Sequence, residues 1–160
     1  MTSFEHGLYG GAIAYAVSPS MFWWGVFFAI APDIPYIVLG IYSGGLNKIV
    51  KRTLKGGKDD LPEYVYKVYD VTHSFITTFI LLFVLYVFDK NLIVLSICYG
   101  SHIVLDIPFH DSRFSTRFLY PISNFHISGY SETKHKWVIF AQYPIIFVVY
   151  FLLFRSKLGL

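Results

Sequence analysis

Charged residues are scarce in this chain. Asp, Glu, Lys and Arg make up 14% of the 160 residues, whereas a typical globular protein has about a quarter. Most of the rest is apolar, with 55% hydrophobic and 20% aromatic residues and a mean hydropathy of +0.54. This deficit excludes an ordinary water-soluble domain and indicates that lipid contacts much of the surface. The net charge of +3 is small and dispersed, so nucleic acid is not an expected partner.

Cysteine is nearly absent as well. The single Cys98 lies inside an apolar run, which excludes an internal disulfide and any cysteine-rich zinc site. The first seven residues lack a basic region and carry Glu5 and His6 instead, so we expect no cleavable signal peptide.

Long apolar runs dominate the remaining sequence. They predict an all-α, polytopic membrane protein in which residues 1–160 form one membrane-embedded bundle of four to five transmembrane helices. The runs are Leu8–Val17, Met21–Ala31 with its continuation to Tyr42, Val71–Phe88, Leu92–Ile107 and Trp137–Phe154. Because Pro32 and Pro35 oppose an unbroken helix, residues 20–43 are either one broken span or a span followed by an interfacial turn.

Two polar segments separate these runs. Residues 46–70 are the clearest, and we interpret them as a solvated connector. Their excess of Lys and Arg in a short loop predicts the cytoplasmic side of the membrane. Residues 108–136 form a second segment that is polar and aromatic.

Five ionisable residues lie at the margins of the apolar runs, at matching depths. The short turn at Asp89–Asn91 makes the two runs around it a hairpin, and His73 and Asp106 then each lie roughly 25 Å from that turn. His102 lies about one helical turn closer. In a first hairpin, His6 and Asp33 lie at similar distances on either side of Ser18–Ser20. We therefore expect both hairpins to bring their His and Asp residues to one pocket.

Imidazole and carboxylate groups without a thiolate are typical of a divalent metal site. His102 and Asp106 are one helical turn apart and share a face. This spacing is able to hold one metal ion between an imidazole and a carboxylate, with Zn²⁺ as first choice and Mn²⁺ or Fe²⁺ as alternatives. Taken singly, such residues are more often interfacial side chains or helix caps. Ionisable groups within spans are rare, however, and tend to mark functional sites.

Four further residues are candidates for catalytic roles around this pocket. Asp70 lies three residues before His73 and is a candidate base or orienting partner of that imidazole. His110 is a less certain ligand, because Pro108 disturbs the helix that would align it with Asp106. Arg113 and Arg117 are candidates for clamping an anionic group, although cations near lipid headgroups are the commoner explanation.

Several short motifs resemble one known family in sequence order. They are Glu5-His6-Gly-Leu-Tyr-Gly-Gly11, Ala31-Pro-Asp-Ile34, Thr72-His-Ser74, Ser101-His-Ile-Val-Leu-Asp106 and Leu119-Tyr-Pro-Ile-Ser123. In these the chain resembles the bacterial and archaeal membrane-bound, metal-dependent hydrolases, sometimes labelled LexA-binding and inner-membrane-associated. The resemblance implies an integral protein of the prokaryotic inner membrane whose His and Asp residues bind metal. By motif, the metal ligands would be His6, Asp33, His73, His102 and Asp106. Pro35 replaces a second Asp that this family often carries, which weakens the case for two metals.

The resulting functional hypothesis is hydrolysis of a lipid or lipid-linked ester or phosphoester by a metal-activated water, near the cytoplasmic face. Membrane lipid is then the expected partner, and the oligomeric state is left open. Three alternatives remain: a membrane cytochrome with haem between His73 and His102, a cation transporter using Asp33 and Asp106, and a scaffold without metal.

Overall fold

The computed structural model describes residues 2–43, 61–110, 112–130 and 137–158, and these residues form helices joined by short turns and one longer loop. The helices are α1 (Ser3–Val17), α2 (Phe22–Ile30), α3 (Asp33–Tyr42), α4 (Glu63–Thr72), α5 (Phe75–Phe88), α6 (Ile93–Asp106) and α7 (Trp137–Leu158). The described residues include no β-strand. The predicted all-α class is therefore confirmed.

Small residues bring α1 and α2 into close contact. The chain reverses at Ser18 and a short 3₁₀ turn, as predicted, and the two helices pack as a hairpin. A Cβ atom on Gly10 would lie 2.5 Å from the Gly25 carbonyl oxygen, and one on Gly25 would lie 2.4 Å from the Gly10 carbonyl oxygen. Only glycine at both positions permits this approach, which is the arrangement that small residues allow between membrane helices.

The second apolar run is a broken helix, as its prolines predict. α2 ends at Ile30, α3 begins at Asp33, and their axes differ by 52°. Proline at position 32 cannot donate to the helical ladder. The break places Asp33 in the first turn of α3, where the unpaired amide groups of a helix favour a negative charge.

The polar segment before the third apolar run is only partly described, and the prediction of a solvated connector is wrong for its second half. Residues 44–60 lie outside the described residues. α4 follows them and buries one apolar face, with Val65 and Tyr66 packed beside Tyr36 and Phe114. Glu63 and Lys67 are exposed while Val65, Tyr66 and Tyr69 are buried, so the helix has an exposed side and a core-facing side.

The predicted span Val71–Phe88 is also broken, at His73 and Ser74. α4 and α5 meet there at an angle of 54°. The Ser74 hydroxyl accepts a hydrogen bond from the Ile76 amide and caps α5, while it donates to the Tyr120 carbonyl oxygen at 2.6 Å. The Tyr99 hydroxyl binds the Thr72 carbonyl oxygen at 2.7 Å on the other side of the break. His73 is thus held at a helix end instead of within a continuous span.

The remaining helices complete the bundle. α5 and α6 form the predicted hairpin around the turn at Asp89–Asn91. α7 packs on α1, where the Tyr143 hydroxyl donates to Glu5 at 2.8 Å and the Tyr150 hydroxyl donates to the Leu8 carbonyl oxygen at 2.8 Å.

Within the described part of the chain, no single helix combines the length and hydropathy that a membrane crossing requires. Two bent pairs reach that length and composition together, namely Pro19–Ile30 with Asp33–Tyr42 and Glu63–Thr72 with Phe75–Phe88. The polytopic arrangement therefore stays a prediction.

We expect Gly25→Ala to lower the free energy of unfolding by about 1–3 kcal/mol, since the added methyl group meets backbone that cannot move independently. Gly100→Ala is the matched control, because its nearest contact would be the Thr78 side chain at 3.1 Å. Alanine favours the helix by roughly 1 kcal/mol over glycine, so the control should be neutral or stabilising. Denaturant unfolding of both variants measures the difference, and equal effects would contradict this account of the α1–α2 contact.

Candidate metal centre

Three helix ends and one helix interior bring the five predicted ligands together. Asp33 opens α3, His73 follows the last residue of α4, and His102 and Asp106 lie in the last turns of α6. His6 comes from the second turn of α1. Four of the five side chains are almost fully buried, and Asp33 is 17% exposed. The predicted convergence of the two hairpins is what the structure shows.

Four donor atoms form a compact group at the centre. His73 Nε2 lies 3.1 Å from His102 Nε2, 3.4 Å from Asp33 Oδ1 and 3.6 Å from Asp106 Oδ2. His102 Nε2 lies 3.6 Å from Asp33 Oδ1 and 3.2 Å from Asp106 Oδ2. Ligand atoms placed tetrahedrally at zinc–ligand distances are about 3.3–3.4 Å apart. The five measured distances are compatible with metal coordination, and the residues form two overlapping groups, His6–His102–Asp106 and Asp33–His73–His102, whose ligand atoms lie within 4.8 Å of one another.

Backbone carbonyls fix which nitrogen of each central imidazole carries hydrogen. His102 Nδ1 lies 2.7 Å from the Ala29 carbonyl oxygen, and His73 Nδ1 lies 3.0 Å from the Tyr69 carbonyl oxygen. A carbonyl can only accept, so each Nδ1 must donate. In the neutral rings both Nε2 atoms then present lone pairs to each other and to the carboxylates. This carbonyl–imidazole pairing is the usual outer shell of a metal-binding histidine.

The carboxylates at the centre make it a candidate site for a cation. Asp33 and Asp106 face the imidazoles, and among the described residues neither forms an ion pair with Lys or Arg. Two buried carboxylates without a compensating charge are costly. One added proton would leave a net charge of −1 at the centre, whereas a divalent ion would neutralise it.

Asp106 also has contacts on its other oxygen. Its Oδ1 lies 2.8 Å from His6 Nε2 and 3.3 Å from His110 Nδ1. The His6 ring stacks on the His102 ring with centroids 3.6 Å apart. His6 Nδ1 is buried and has no hydrogen-bond partner among the described residues. His6 Nε2 thus contacts Asp106, and the ligand atoms of His6, His102 and Asp106 lie within 4.8 Å of one another, so the structure keeps His6 among the candidate metal ligands.

Asp70 does not orient His73 as predicted. Its carboxylate binds Arg117 Nη1 at 2.8 Å and Arg113 Nη1 at 3.1 Å, and Arg113 also contacts Glu63 at 3.3 Å. The prediction is wrong because helical geometry takes the carboxylate away from the ring and toward the loop after α6. The two guanidinium groups face two carboxylates, so their charge is already matched. This pairing argues against the predicted anion clamp.

The central distances also bear on the cytochrome alternative. His73 Nε2 and His102 Nε2 are 3.1 Å apart, which leaves no room for a porphyrin plane between the two nitrogens. A bis-histidine haem therefore does not fit this arrangement of side chains.

Several contributors to the centre were missed from the sequence. The Tyr69 ring stacks on the His73 ring with centroids 3.8 Å apart, and the Ser3 hydroxyl donates to Asp33 Oδ2. Both side chains lie near predicted ligands and could have been found by their helical spacing. The Ala29 carbonyl could not have been predicted, because every residue has a backbone carbonyl.

Comparison of the chain with known protein families, curated proteins and solved structures gives no match. The resemblance in the short motifs consequently stays a prediction, and the functional argument rests on the geometry of the centre.

We expect Asp70→Asn to lower the free energy of unfolding by roughly 2–3 kcal/mol, because two partly buried arginines lose the carboxylate between them. Metal content should stay unchanged, because Asp70 makes no contact with the central donor atoms. Denaturant unfolding and elemental analysis test the two parts. Loss of metal in a variant of normal stability would restore the predicted orienting role.

Proposed function

We propose that this chain is a membrane-bound hydrolase that uses one divalent metal ion to cleave a lipid or lipid-linked ester or phosphoester. Zn²⁺ is the first choice, with Mn²⁺ or Fe²⁺ as alternatives. The proposed location is the prokaryotic inner membrane, with the centre near the cytoplasmic face.

One observation supports the proposal most strongly. Imidazole nitrogens and carboxylate oxygens converge on one point, while both central imidazoles donate their Nδ1 hydrogens to backbone carbonyls away from that point. His73 and His102 each donate the Nδ1 hydrogen to a backbone carbonyl, so neither neutral ring has a second hydrogen to donate to the carboxylates. A structural cluster of buried polar groups would pair donors with acceptors. With both rings neutral, this cluster places acceptors against acceptors, and a metal ion at its centre would remove that repulsion, as would a proton on one imidazole.

The roles of the residues follow from their contacts. Asp33, His73, His102 and Asp106 would hold the metal through the four central atoms. His6 and His110 position Asp106 through its other oxygen. A bound divalent ion would lower the pKa of a water ligand and polarise an ester or phosphoryl oxygen. Arg113 and Arg117 anchor the loop after α6 through Asp70.

Exposed apolar side chains support a lipid environment and hence a lipid-like substrate. On α5, Phe79, Phe83 and Val87 are 64%, 66% and 66% exposed. On α7, Phe140 and Phe147 are 69% and 71% exposed. Contiguous apolar surface of this kind marks an interaction with membrane or protein. Together with the low overall charge, it favours contact with lipid.

Metal content is the first test. We expect the purified chain to hold one divalent ion, and His73→Ala or His102→Ala to weaken metal affinity by at least the roughly 10–100-fold seen for loss of outer-shell groups. Elemental analysis and metal titration measure this. His126→Ala is the matched control, since His126 is exposed and bonds only to the Asn124 carbonyl oxygen. Metal-free wild-type protein that cannot be loaded would favour the scaffold alternative.

Hydrolysis is the second test. We expect the metal-loaded protein to release product from a phosphatidic acid or diacylglycerol ester in mixed micelles, and a chelator to abolish this activity. His102→Ala should lower kcat/KM roughly 100-fold or more, and His126→Ala should leave it unchanged. Full metal content and full activity in His102→Ala would contradict the assignment. Metal flux into liposomes without hydrolysis would favour the transporter alternative.

A further inference from the structure

A cavity lies beside the metal centre, on a different face of α6. It has a volume of about 560 Å³ and is bounded by α1, α5 and α6. Ile13, Leu82 and Ile97 contribute apolar side chains to its wall, one from each helix. A volume of this size is in the range of small-molecule sites.

Three of the four hydroxyl-bearing side chains that line this cavity are already hydrogen-bonded, and the fourth is Tyr9. The Thr78, Ser96 and Ser101 hydroxyls each donate to a carbonyl of their own helix, at 3.3, 2.7 and 2.7 Å. No Asp, Glu, Lys or Arg is among the described residues that line it. A polar ligand would lose its hydrogen bonds to water here without replacement. The chemistry of the wall therefore suits a hydrocarbon.

The shape of the cavity favours a chain over a compact ring. Its wall extends along α6 from Ser96 to Leu105, a distance of about 13 Å at the rise of an α-helix. Gly100 leaves the middle of this wall without a side chain. The rim is formed by Phe79, Ile97 and Val104, which are 64%, 52% and 55% exposed. The cavity is thus an apolar groove whose opening is continuous with the exposed apolar surface.

We propose that this groove binds one acyl chain of a membrane glycerolipid. Leu105 immediately precedes Asp106, and Phe75 follows His73 by two residues, so one end of the groove lies near the depth of the metal centre. This inference deepens the proposed function. It rests on that function where it identifies the acyl chain as the apolar part of the substrate. Binding of the acyl chain can be measured separately from hydrolysis.

Native mass spectrometry of the full chain in detergent tests the proposal. Dipalmitoylphosphatidylglycerol is the probe, and dihexanoylphosphatidylglycerol is the matched ligand with the same headgroup and short chains. We expect a one-to-one adduct with the long-chain lipid and roughly tenfold weaker binding of the short-chain lipid, because most methylene contacts are lost.

Leu82→Trp and Ile13→Trp fill the groove from two different helices, and each should weaken the long-chain adduct roughly tenfold. Ile80→Trp is the matched control, since Ile80 is exposed on α5 outside the groove. Circular dichroism and elemental analysis establish that the variants fold and retain metal. Unchanged binding in both folded variants overturns the proposal.

Two further results would also overturn it. Equal binding of the short-chain lipid would mean that the headgroup is recognised, and this comparison needs only the wild-type chain. Dimers that dissociate in the groove variants would mean that a second copy fills the groove. A long-chain adduct on a protein that binds no metal would leave the groove in place and remove the hydrolase proposal instead.

Discussion

The central constraint on this fold is the need to neutralise two buried carboxylates. Asp33 and Asp106 reach the same point from different parts of the chain, and the imidazoles between them have their Nδ1 hydrogens committed elsewhere. A metal ion bound here would link stability to metal binding, because it would also hold together the helix ends that supply its ligands. Without a cation at the centre, the groups beside the carboxylates that can supply positive charge are the histidines, once protonated.

Close helix packing makes this arrangement geometrically possible. Gly10 and Gly25 let α1 and α2 approach until their backbones touch, and the Ala29 carbonyl is then delivered to His102 from the next turn of α2. The breaks in the helices have the complementary effect. At Asp33 and His73 the chain ends one helix and begins another, which leaves a side chain directed into the bundle at each bend.

The sequence was sufficient for the helical class, the two hairpins and the convergence of His6, Asp33, His73, His102 and Asp106. Hydrophobic runs and turn positions determine how far each residue lies from the turn of its hairpin. That distance follows directly from the number of residues between them, so it can be predicted from the sequence. The direction of a side chain depends on how each helix is rotated and where it is broken, and neither can be predicted well from residue spacing. Asp70 lies close to His73 along the helix, as expected, but its side chain faces Arg113 and Arg117. The helix α4 was mistaken for a connector because its apolar face is narrow.

The carbonyl of Ala29 has a consequence for how this centre tolerates change. The group that sets the tautomer of His102 belongs to the main chain, so no replacement at position 29 can delete it; a larger side chain can only displace it. Substitutions in α2 would therefore act on the chemistry of a remote imidazole through steric bulk alone. Because Ala29 is fully buried among apolar side chains, small apolar residues should be the replacements best tolerated there.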